Sequence, residues 1–459
     1  MKKVLSLVLA LVLVLGVMSF ASADEEKIEL KMYSFTNELQ GVIEKYYLPT
    51  HPNVVITADD WTIIPTDGDQ YLTKVDTLLG SSADSDEAPD LFAIEAGFVK
   101  HYIDSPFTAP LADIGFTDAD YEGALEVMLK AGQDSNGVQK GLAWQSTPGA
   151  MFYRASLAEK YLGVTSPEQM QELVADWDLF VETAQKLYDA SEGACKMVTG
   201  SGDLWNVYQY QRTQPWVVDG KLVIDDELLD YEELCKTLYE NKLTQQAGAW
   251  GEVWFAGMQG ATETLCYFLP TWGLHYTLKP NCVAGGFSTG SAEEEAALQK
   301  LSDENNGTYG DWRMIAGPCA YSWGGTWIGV NAGKLATASD AKKAAMYDLI
   351  KFVTLDQDFL YQYAIDSGDF VGNKAVVDRY LADGERPNPF LGGQDHYKLF
   401  ADYVSLTNVD ILNYYDNKIN DAWSKFVTTP YETGEKTLEE AIANFKNEVA
   451  AAITDITVE

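Results

Sequence analysis

The sequence predicts an α/β fold built as two lobes. Strands and helices alternate over residues 27–95, an order typical of a parallel sheet flanked by helices. The chain has 459 residues, of which 46% are hydrophobic and 22% charged, enough for two lobes with separate cores. Because no repeat or proline-rich linker divides it, we expect the chain to cross between the lobes more than once.

The N-terminus predicts a cleavable export signal over residues 1–23. Two lysines follow Met1, the segment Val4–Met18 is almost entirely apolar, and Ala21-Ser22-Ala23 forms a small-residue cleavage site. The apolar segment is too short and wrongly flanked for a membrane span. We therefore expect export to the periplasm or the cell surface. No cysteine lies near the cleavage site, so the usual lipid anchor is not expected.

The first elements are predicted from periodicity. Apolar residues alternate in the first strand, form a continuous run at 91–94, and recur at helical spacing in the helices. In a parallel sheet, ligands bind at the carboxyl ends of the strands, where this sequence places Glu38 and Glu95. The predicted elements are strand Lys27–Phe35, a helix capped by Asn37, strand Asn53–Ala58, helix Tyr71–Leu79 and strand Asp90–Glu95.

Further along the chain the helices become longer. Ser166, Pro167 and Gln169 form a helix start, and the periodicity predicts one helix from there to about Ala190. The other predicted elements are an extended segment Gly141–Tyr153, strands Leu265–Leu269, Arg313–Ala316 and Trp327–Val330, and helices Ala155–Leu162, Asp226–Asn241, Ala292–Leu301, Ala341–Thr354, Asp356–Asp366 and Leu438–Ile453.

The formal net charge of the chain is −37. Such a charge repels nucleic acids and anionic lipids, so neither is expected as a partner. It is compatible with a cationic solute but does not by itself identify a ligand.

The cysteines and histidines predict no metal or cofactor site. The five cysteines form no C-x-x-C pair, and the four histidines form no i, i+4 pair. An odd cysteine count leaves at least one free thiol. Two alternatives stay open, namely one or two disulfides among Cys266, Cys282 and Cys319, or buried free thiols throughout.

No catalytic motif is supported by its context. Carboxylate pairs of the kind that glycosidases use occur throughout so acidic a chain, and none is singled out by the sequence. The segment Gly286–Gly290 matches G-x-S-x-G but lacks the preceding strand and following helix that a nucleophile elbow needs. We therefore expect a protein that is not an enzyme.

Tryptophans beside turn-forming or polar residues are the main functional signal. A sugar ring offers an apolar face and a rim of hydroxyls, and it therefore suits an aromatic platform with planar polar neighbours. Any single tryptophan can instead belong to a core. The candidates are Trp144, Trp205, Trp250, Trp254, Trp272, Trp323 and Trp327.

Five segments in the same order resemble the extracellular solute-binding proteins of carbohydrate ABC transporters, the maltose-binding-like group. The resemblance covers nearly the whole mature chain. Arg154 and Val371 depart from the Asn and Pro that are usual at their positions. The segments are Pro89–Glu95, Gly141–Gln145 with Met151–Arg154, Ala261–Trp272, Gly324–Val330 and Gly368–Val371.

The resemblance implies a two-lobed, periplasmic-binding-protein-like fold with a ligand cleft between the lobes and several hinge crossovers. It implies an N-terminal lobe of residues 24–142 plus 317–367 and a C-terminal lobe of residues 143–316 plus 368–459. The implied ligand-binding residues are the hydroxyl acceptors Glu38 and Glu95, Trp144 and Gln145 at the hinge, the stacking platforms Trp205 and Trp272, Gly324, Gly325 and Trp327 near the second crossover, and Asp369 at the third.

The function implied is capture of a carbohydrate, taken to be an oligosaccharide, and its delivery to a membrane-embedded ABC permease by a monomeric protein. Two alternatives remain. One is a binding protein for a non-sugar solute such as a polyamine or peptide, for which an aromatic box with carboxylates would suit a cation. The other is an exported glycoside hydrolase, which turnover of a glycoside would reveal.

Overall fold

The computed structural model describes residues 27–66, 69–81, 85–287 and 291–459. The predicted export signal and the serine of the G-x-S-x-G match lie outside these ranges. The strands are β1 Ile28–Glu29, β2 Met32–Ser34, β3 Val54–Val55, β4 Trp61–Ile63, β5 Leu91–Glu95, β6 Gly141–Ala143, β7 Gly149–Arg154, β8 Val217–Val218, β9 Lys221–Leu222, β10 Cys266–Pro270, β11 Trp312–Ile315 and β12 Thr326–Val330.

The α-helices surround these strands. They are Glu38–Val42, Gln70–Gly80, Val99–Ile103, Glu126–Ala131, Ala155–Leu162, Pro167–Leu173, Trp177–Ala190, Ser201–Tyr208, Asp226–Glu240, Glu252–Gln259, Ala292–Glu304, Ala332–Thr337, Asp340–Leu355, Gln357–Ser367, Lys374–Ala382, His396–Tyr403, Asp416–Trp423, Thr429–Glu432 and Leu438–Ala452.

A five-stranded sheet of order β4-β2-β5-β12-β6 forms the centre of the first lobe. Strand β2 pairs in parallel with β4 and β5, which confirms the parallel arrangement predicted for the N-terminal region. Strand β12 runs antiparallel to both β5 and β6, so the complete sheet is mixed. All five residues of β12 are buried, as expected for a strand covered on both faces.

A three-stranded antiparallel sheet of order β10-β7-β11 forms the centre of the second lobe. Its residues are almost entirely buried. The C-terminal helices Asp416–Trp423 and Leu438–Ala452 pack around Trp216 in a cluster that also belongs to this lobe. The two-lobed α/β fold class predicted from the sequence is therefore the one observed.

Three chain segments cross between the lobes side by side. The first, 144–148, joins β6 to β7, and the second, 316–325, joins β11 to β12. The third, 368–373, runs along the first, and the amide of Gly372 donates to the carbonyl of Trp144 at 2.8 Å. A bridge between Pro148 and Ser322 ties the first segment to the second. We refer to these three segments as the hinge.

Three local predictions differ from the structure. The single strand expected over Lys27–Phe35 is wrong, because the chain forms the two short strands β1 and β2, which belong to different sheets. The single helix expected from Ser166 to Ala190 is wrong, because the chain forms two helices, Pro167–Leu173 and Trp177–Ala190. The side chain of Asp176 accepts a hydrogen bond from the amide of Leu179 and so starts a second helix. The Glu38–Val42 helix does follow Asn37, but the Asn37 side chain makes no capping hydrogen bond.

All five cysteines are free thiols, and four of them are buried. Of the two alternatives left open by the sequence, disulfides or buried free thiols, the structure has free thiols, with Cys319 half-buried. Burial raises the pKa of the Cys195 and Cys319 thiols to about 12, which keeps them protonated and unreactive at neutral pH.

Substitution of Gly149 tests the packing beside the hinge. A methyl group at Gly149 would overlap the Tyr321 ring, which cannot withdraw because its hydroxyl donates to the carbonyls of Ala150 and Leu269. We expect Gly149→Ala to lower the free energy of unfolding by about 1–3 kcal/mol, measured by thermal and urea denaturation.

The matched control is Gly80→Ala at the end of the Gln70–Gly80 helix, where a methyl group meets no atom of the described residues within 4 Å. It should be neutral or stabilising by up to about 1 kcal/mol. Equal melting of both variants would contradict the assigned packing.

Candidate functional site

A cavity of about 1410 Å³ lies between the lobes at the hinge. The first lobe contributes residues that follow β2 and β5, including Glu38 and Glu95, and the second contributes residues that follow β10, including Trp272. Gly324 and Gly325 of the second crossover form part of its base. We refer to this cavity as the cleft. It lies where the carboxyl ends of parallel strands place ligands in open α/β sheets.

Three tryptophans form one wall of the cleft. Trp250 and Trp272 lie with ring centroids 6.2 Å apart and planes within 8° of each other. Trp323 meets Trp272 edge to face, at 5.1 Å and 71°. Trp250 is 52% exposed and has a left-handed backbone, with φ of 64°. This wall therefore presents an indole surface to any molecule that enters the cleft.

Trp272 is held by the second crossover. Its Nε1 donates to the carbonyl of Trp323 at 2.9 Å. A Cβ atom on Gly324 would come within 2.6 Å of that nitrogen, and Gly324 also has φ of 86°. Glycine is thus required there for both backbone conformation and close approach. Gly324 and Gly325 both line the cleft, as predicted. Gly324 leaves room for the Trp272 indole, whereas Gly325 lies against the ring of Trp327.

Glu38 belongs to a hydrogen-bonded group at the base of the cleft. Its carboxylate accepts from Gln145 Nε2 at 3.5 Å and from the Tyr363 hydroxyl at 3.3 Å. The same hydroxyl lies 3.1 Å from Asp369 Oδ2. The fold thus brings together Glu38, Gln145 and Asp369, which lie far apart in the sequence. Tyr363, which the sequence analysis did not identify, connects them.

Burial shifts the acid groups of this site toward neutral pH. It raises the pKa of Glu38 to about 7, although the hydrogen bonds from Tyr363 and Gln145 act in the opposite direction. It raises the pKa of Asp369 well above its usual value, and the nearby charge of Glu38 adds to this effect. The two carboxyls therefore compete for a proton.

Glu95 stands at the end of β5 on the same cavity. Its side chain accepts from the amide of Gly97 at 2.6 Å. Burial raises its pKa to about 7, against the lowering effect of the backbone hydrogen bonds from Gly97 and Ala96. Glu95 thus presents a carboxyl whose second oxygen is available to a ligand.

Three of the four tryptophans implied to bind the ligand do not line the cleft, and neither does Trp254 of the wider set, which is 1% exposed. Trp144 is 1% exposed and belongs to a hydrophobic core, although its chain segment is part of the hinge. Trp327 is 3% exposed, and its Nε1 donates to the carbonyl of Met128 inside the first lobe. Trp205 packs against two second-lobe clusters and meets Tyr231 edge to face. The expected ligand-stacking role of Trp205 and cleft-lining role of Trp327 do not match these positions.

Further cleft residues were not among the predicted site residues. Trp250 and Trp323 were in the wider tryptophan set, and their glycine or serine neighbours were the available signal. Tyr46, His275 and Arg386 also line the cleft and had no distinguishing sequence pattern. Their position in the cleft is set by the packing of helices that are far apart in the sequence.

The described ranges contain neither a membrane-spanning helix nor a cluster of metal ligands. No helix there has both the length and the hydropathy needed to cross a bilayer. Among the same residues, no group of three or more His, Cys, Asp or Glu side chains is arranged to hold a metal ion.

Comparison with known proteins places this geometry in a family. A family model described as bacterial extracellular solute-binding protein matches residues 57–387, which is more than half of the chain. No curated protein matches the chain in sequence.

Solved structures share the fold at low sequence identity. A crystal structure of an extracellular solute-binding protein of family 1 is 17% identical, with a TM-score of 0.73, over 93% of this chain and 99% of that chain. The ABC transporter-associated binding protein from B. animalis subsp. lactis, in complex with beta-1,6-galactobiose, is 19% identical, with a TM-score of 0.65, over 93% and 98%. The galacto-N-biose/lacto-N-biose I-binding protein from Bifidobacterium longum, in complex with lacto-N-biose, is 13% identical, with a TM-score of 0.67, over 95% and 100%.

The raised pKa of Glu38 predicts a pH-dependent change in stability. Between about pH 4.5 and 7 the folded protein retains a proton that the unfolded chain has lost, so this group makes the fold less stable as pH rises. We expect Glu38→Gln to stabilise the protein by about 1–3 kcal/mol at pH 8, and the gain should disappear near pH 4.5.

Denaturation curves at the two pH values measure this difference. Glu44→Gln is the matched control, because Glu44 is exposed and lies outside the cleft. A gain of equal size at both pH values, or an equal gain in the control, would contradict the assignment.

Proposed function

This chain belongs to the bacterial extracellular solute-binding proteins, and on that premise we propose that it captures a carbohydrate for an ABC transporter. It binds the sugar by aromatic stacking and hydrogen bonds and delivers it to a membrane-embedded permease. The single observation that supports this most is the tryptophan wall facing Glu38 and Glu95 across the cleft. Indole planes suit the apolar face of a sugar ring, and carboxylates accept hydrogen bonds from its hydroxyls.

The size of the cleft supports an oligosaccharide. Its volume of about 1410 Å³ exceeds the range of about 300–1,000 Å³ that is usual for small-molecule pockets. Relatives with the same fold were solved with bound disaccharides, galactobiose in one case and lacto-N-biose in another. We propose the same class of ligand, an oligosaccharide, for this chain. We do not propose either of these two sugars as its ligand.

Capture is proposed to proceed by closure of the lobes about the hinge. The three hydrogen-bonded crossovers change only a few backbone angles while each sheet moves as a unit, which is the usual geometry of domain closure. In this proposal the first lobe comprises residues 24–142 plus 317–367 and the second residues 143–316 plus 368–459. The mature protein acts as a monomer outside the cytoplasmic membrane after removal of residues 1–23.

A tryptophan-fluorescence titration with product analysis tests the function. The mature protein is titrated with a panel of mono- and oligosaccharides, and each sugar is recovered and analysed. Saturable quenching with intact sugar is the expected result. Recovery of cleaved sugar would favour the glycoside hydrolase alternative. No change in fluorescence with any sugar would favour a non-sugar solute.

The role of Trp272 gives a sharper prediction. We expect Trp272→Ala to weaken binding of the best sugar by about 2–4 kcal/mol, the scale of a buried aromatic anchor, with little loss of thermal stability. Isothermal titration calorimetry measures the affinity.

Trp205→Ala is the contrasting variant. Because Trp205 packs between hydrophobic clusters of the second lobe, its removal should lower the melting temperature and leave the affinity of the folded fraction nearly unchanged. An unchanged affinity in Trp272→Ala would remove Trp272 from the proposed site.

A further inference from the structure

The cationic side chains that line the cleft are paired with acidic groups, whereas Glu38 and Glu95 are in no ion pair among the described residues. Lys45 pairs with Asp366 at 3.4 Å, and Lys279 pairs with Glu295 at 3.1 Å. These cations are therefore not available to neutralise other groups in the cleft.

Arg386, the remaining cationic lining residue, is also engaged. Its guanidinium donates to the carbonyl of Tyr380 at 2.6 Å, lies 3.7 Å from Asp383, and stacks over the Tyr380 ring. Its contacts hold it on the second-lobe rim.

The two histidines of the cleft do not supply a positive charge either. His275 and His396 both donate from Nε2 to the carbonyl of Gly368, at 3.1 and 3.0 Å. Burial lowers the pKa of both rings, that of His275 well below its usual value. They are neutral at physiological pH.

Glu38, Glu95 and Asp369 have no cationic partner among the described residues. Their contacts are to neutral donors, namely an amide, a phenol and backbone N–H groups. Next to them, the Oε1 of Gln145, a residue 2% exposed, also has no hydrogen-bond partner within the described ranges. Glu38 and Glu95 thus offer the cleft half-buried acceptors, Asp369 lies behind its lining at 1% exposure, and the described lining residues supply no unpaired positive charge.

Resting on the proposed function, we propose that the captured carbohydrate carries a protonated amine, as in an oligosaccharide of unacetylated amino sugars. Separate ammonium groups of such an oligosaccharide would pair with Glu38 and with Glu95, which both line the cleft, and the sugar rings would stack on Trp250 and Trp272. A neutral sugar would leave the carboxylates desolvated and uncompensated once the lobes close, which is energetically costly. Indole faces also attract a cation directly.

The charge of the whole molecule favours the same ligand. A net charge of −37 raises the local concentration of cations and the rate at which they associate. A negatively charged sugar would be disfavoured by both the cleft and the long-range field.

Three matched disaccharides test this inference on the full mature protein. They are the β-1,4-linked disaccharide of glucosamine with free amines, its di-N-acetyl form, and cellobiose. At pH 7.5 we expect the free-amine disaccharide to bind at least about tenfold more tightly than the other two, because an ion-assisted hydrogen bond replaces a neutral one. Calorimetry measures the three dissociation constants.

Acid-to-amide variants identify the groups responsible. Glu38→Gln and Glu95→Gln, each checked by thermal melting, should reduce the preference for the free amine to about threefold or less, and Glu44→Gln should leave it unchanged. Glu44 is exposed and does not line the cleft. A preference that survives in both cleft variants would overturn the inference.

The outcomes separate this inference from the proposed function. Equal or tighter binding of cellobiose or the acetylated disaccharide, or of another neutral glycan, would overturn the inference and leave carbohydrate capture standing. Failure of every glycan combined with binding of spermidine would overturn both, and would indicate a site for a cationic solute that is not a sugar.

Discussion

The cleft depends on how three crossing segments are joined by backbone hydrogen bonds. The amide of Ser146 donates to the carbonyl of Phe370, and that of Trp323 donates to the carbonyl of Thr147. Each crossing segment is therefore hydrogen-bonded to the segment beside it, so neighbouring segments move together. Because Gln145, Trp323 and Asp369 lie on or beside these bonds, the polar base and the aromatic wall are positioned by the same frame. The ligand-facing groups therefore have a fixed reference even if the lobes change their separation.

Beside these crossing segments, acidic side chains are partly removed from water without a cationic partner among the described residues. Half-buried Glu38 and buried Asp369 share the Tyr363 hydroxyl, and neither has a cationic partner among the described residues. Each such carboxyl costs stability in the empty protein. A binding protein can tolerate this cost, because the groups that destabilise the unliganded cleft are those that a complementary solute satisfies. The fold supplies the necessary stability elsewhere, through hydrophobic clusters in both lobes.

The sequence predicted the fold more completely than the site, for a physical reason. The apolar run of strand Leu91–Glu95 and the periodic apolar pattern of helix Asp340–Leu355 are both local features of the sequence. Glu38, Glu95 and Trp272 could be anticipated because they follow strand ends or a family-like segment. Trp144 and Trp327 could not be distinguished from Trp250, because whether an indole faces a core or a cavity is decided by distant elements. The sequence did not predict the end of one helix and the start of another near Asp176. The apolar periodicity continues through this point, but the Asp176 carboxylate caps a new helix there.

The placement of β12 has a kinetic consequence for the folding of the chain. This strand lies between β5 and β6, yet it is formed by residues 326–330. Until those residues have been synthesised, β5 and β6 have no partner on the sides that they present to β12. The first sheet therefore closes late and through long-range contacts, which slows folding. A slowly closing N-terminal region keeps a nascent chain extended for longer, a state suited to transport through a narrow channel before the fold forms.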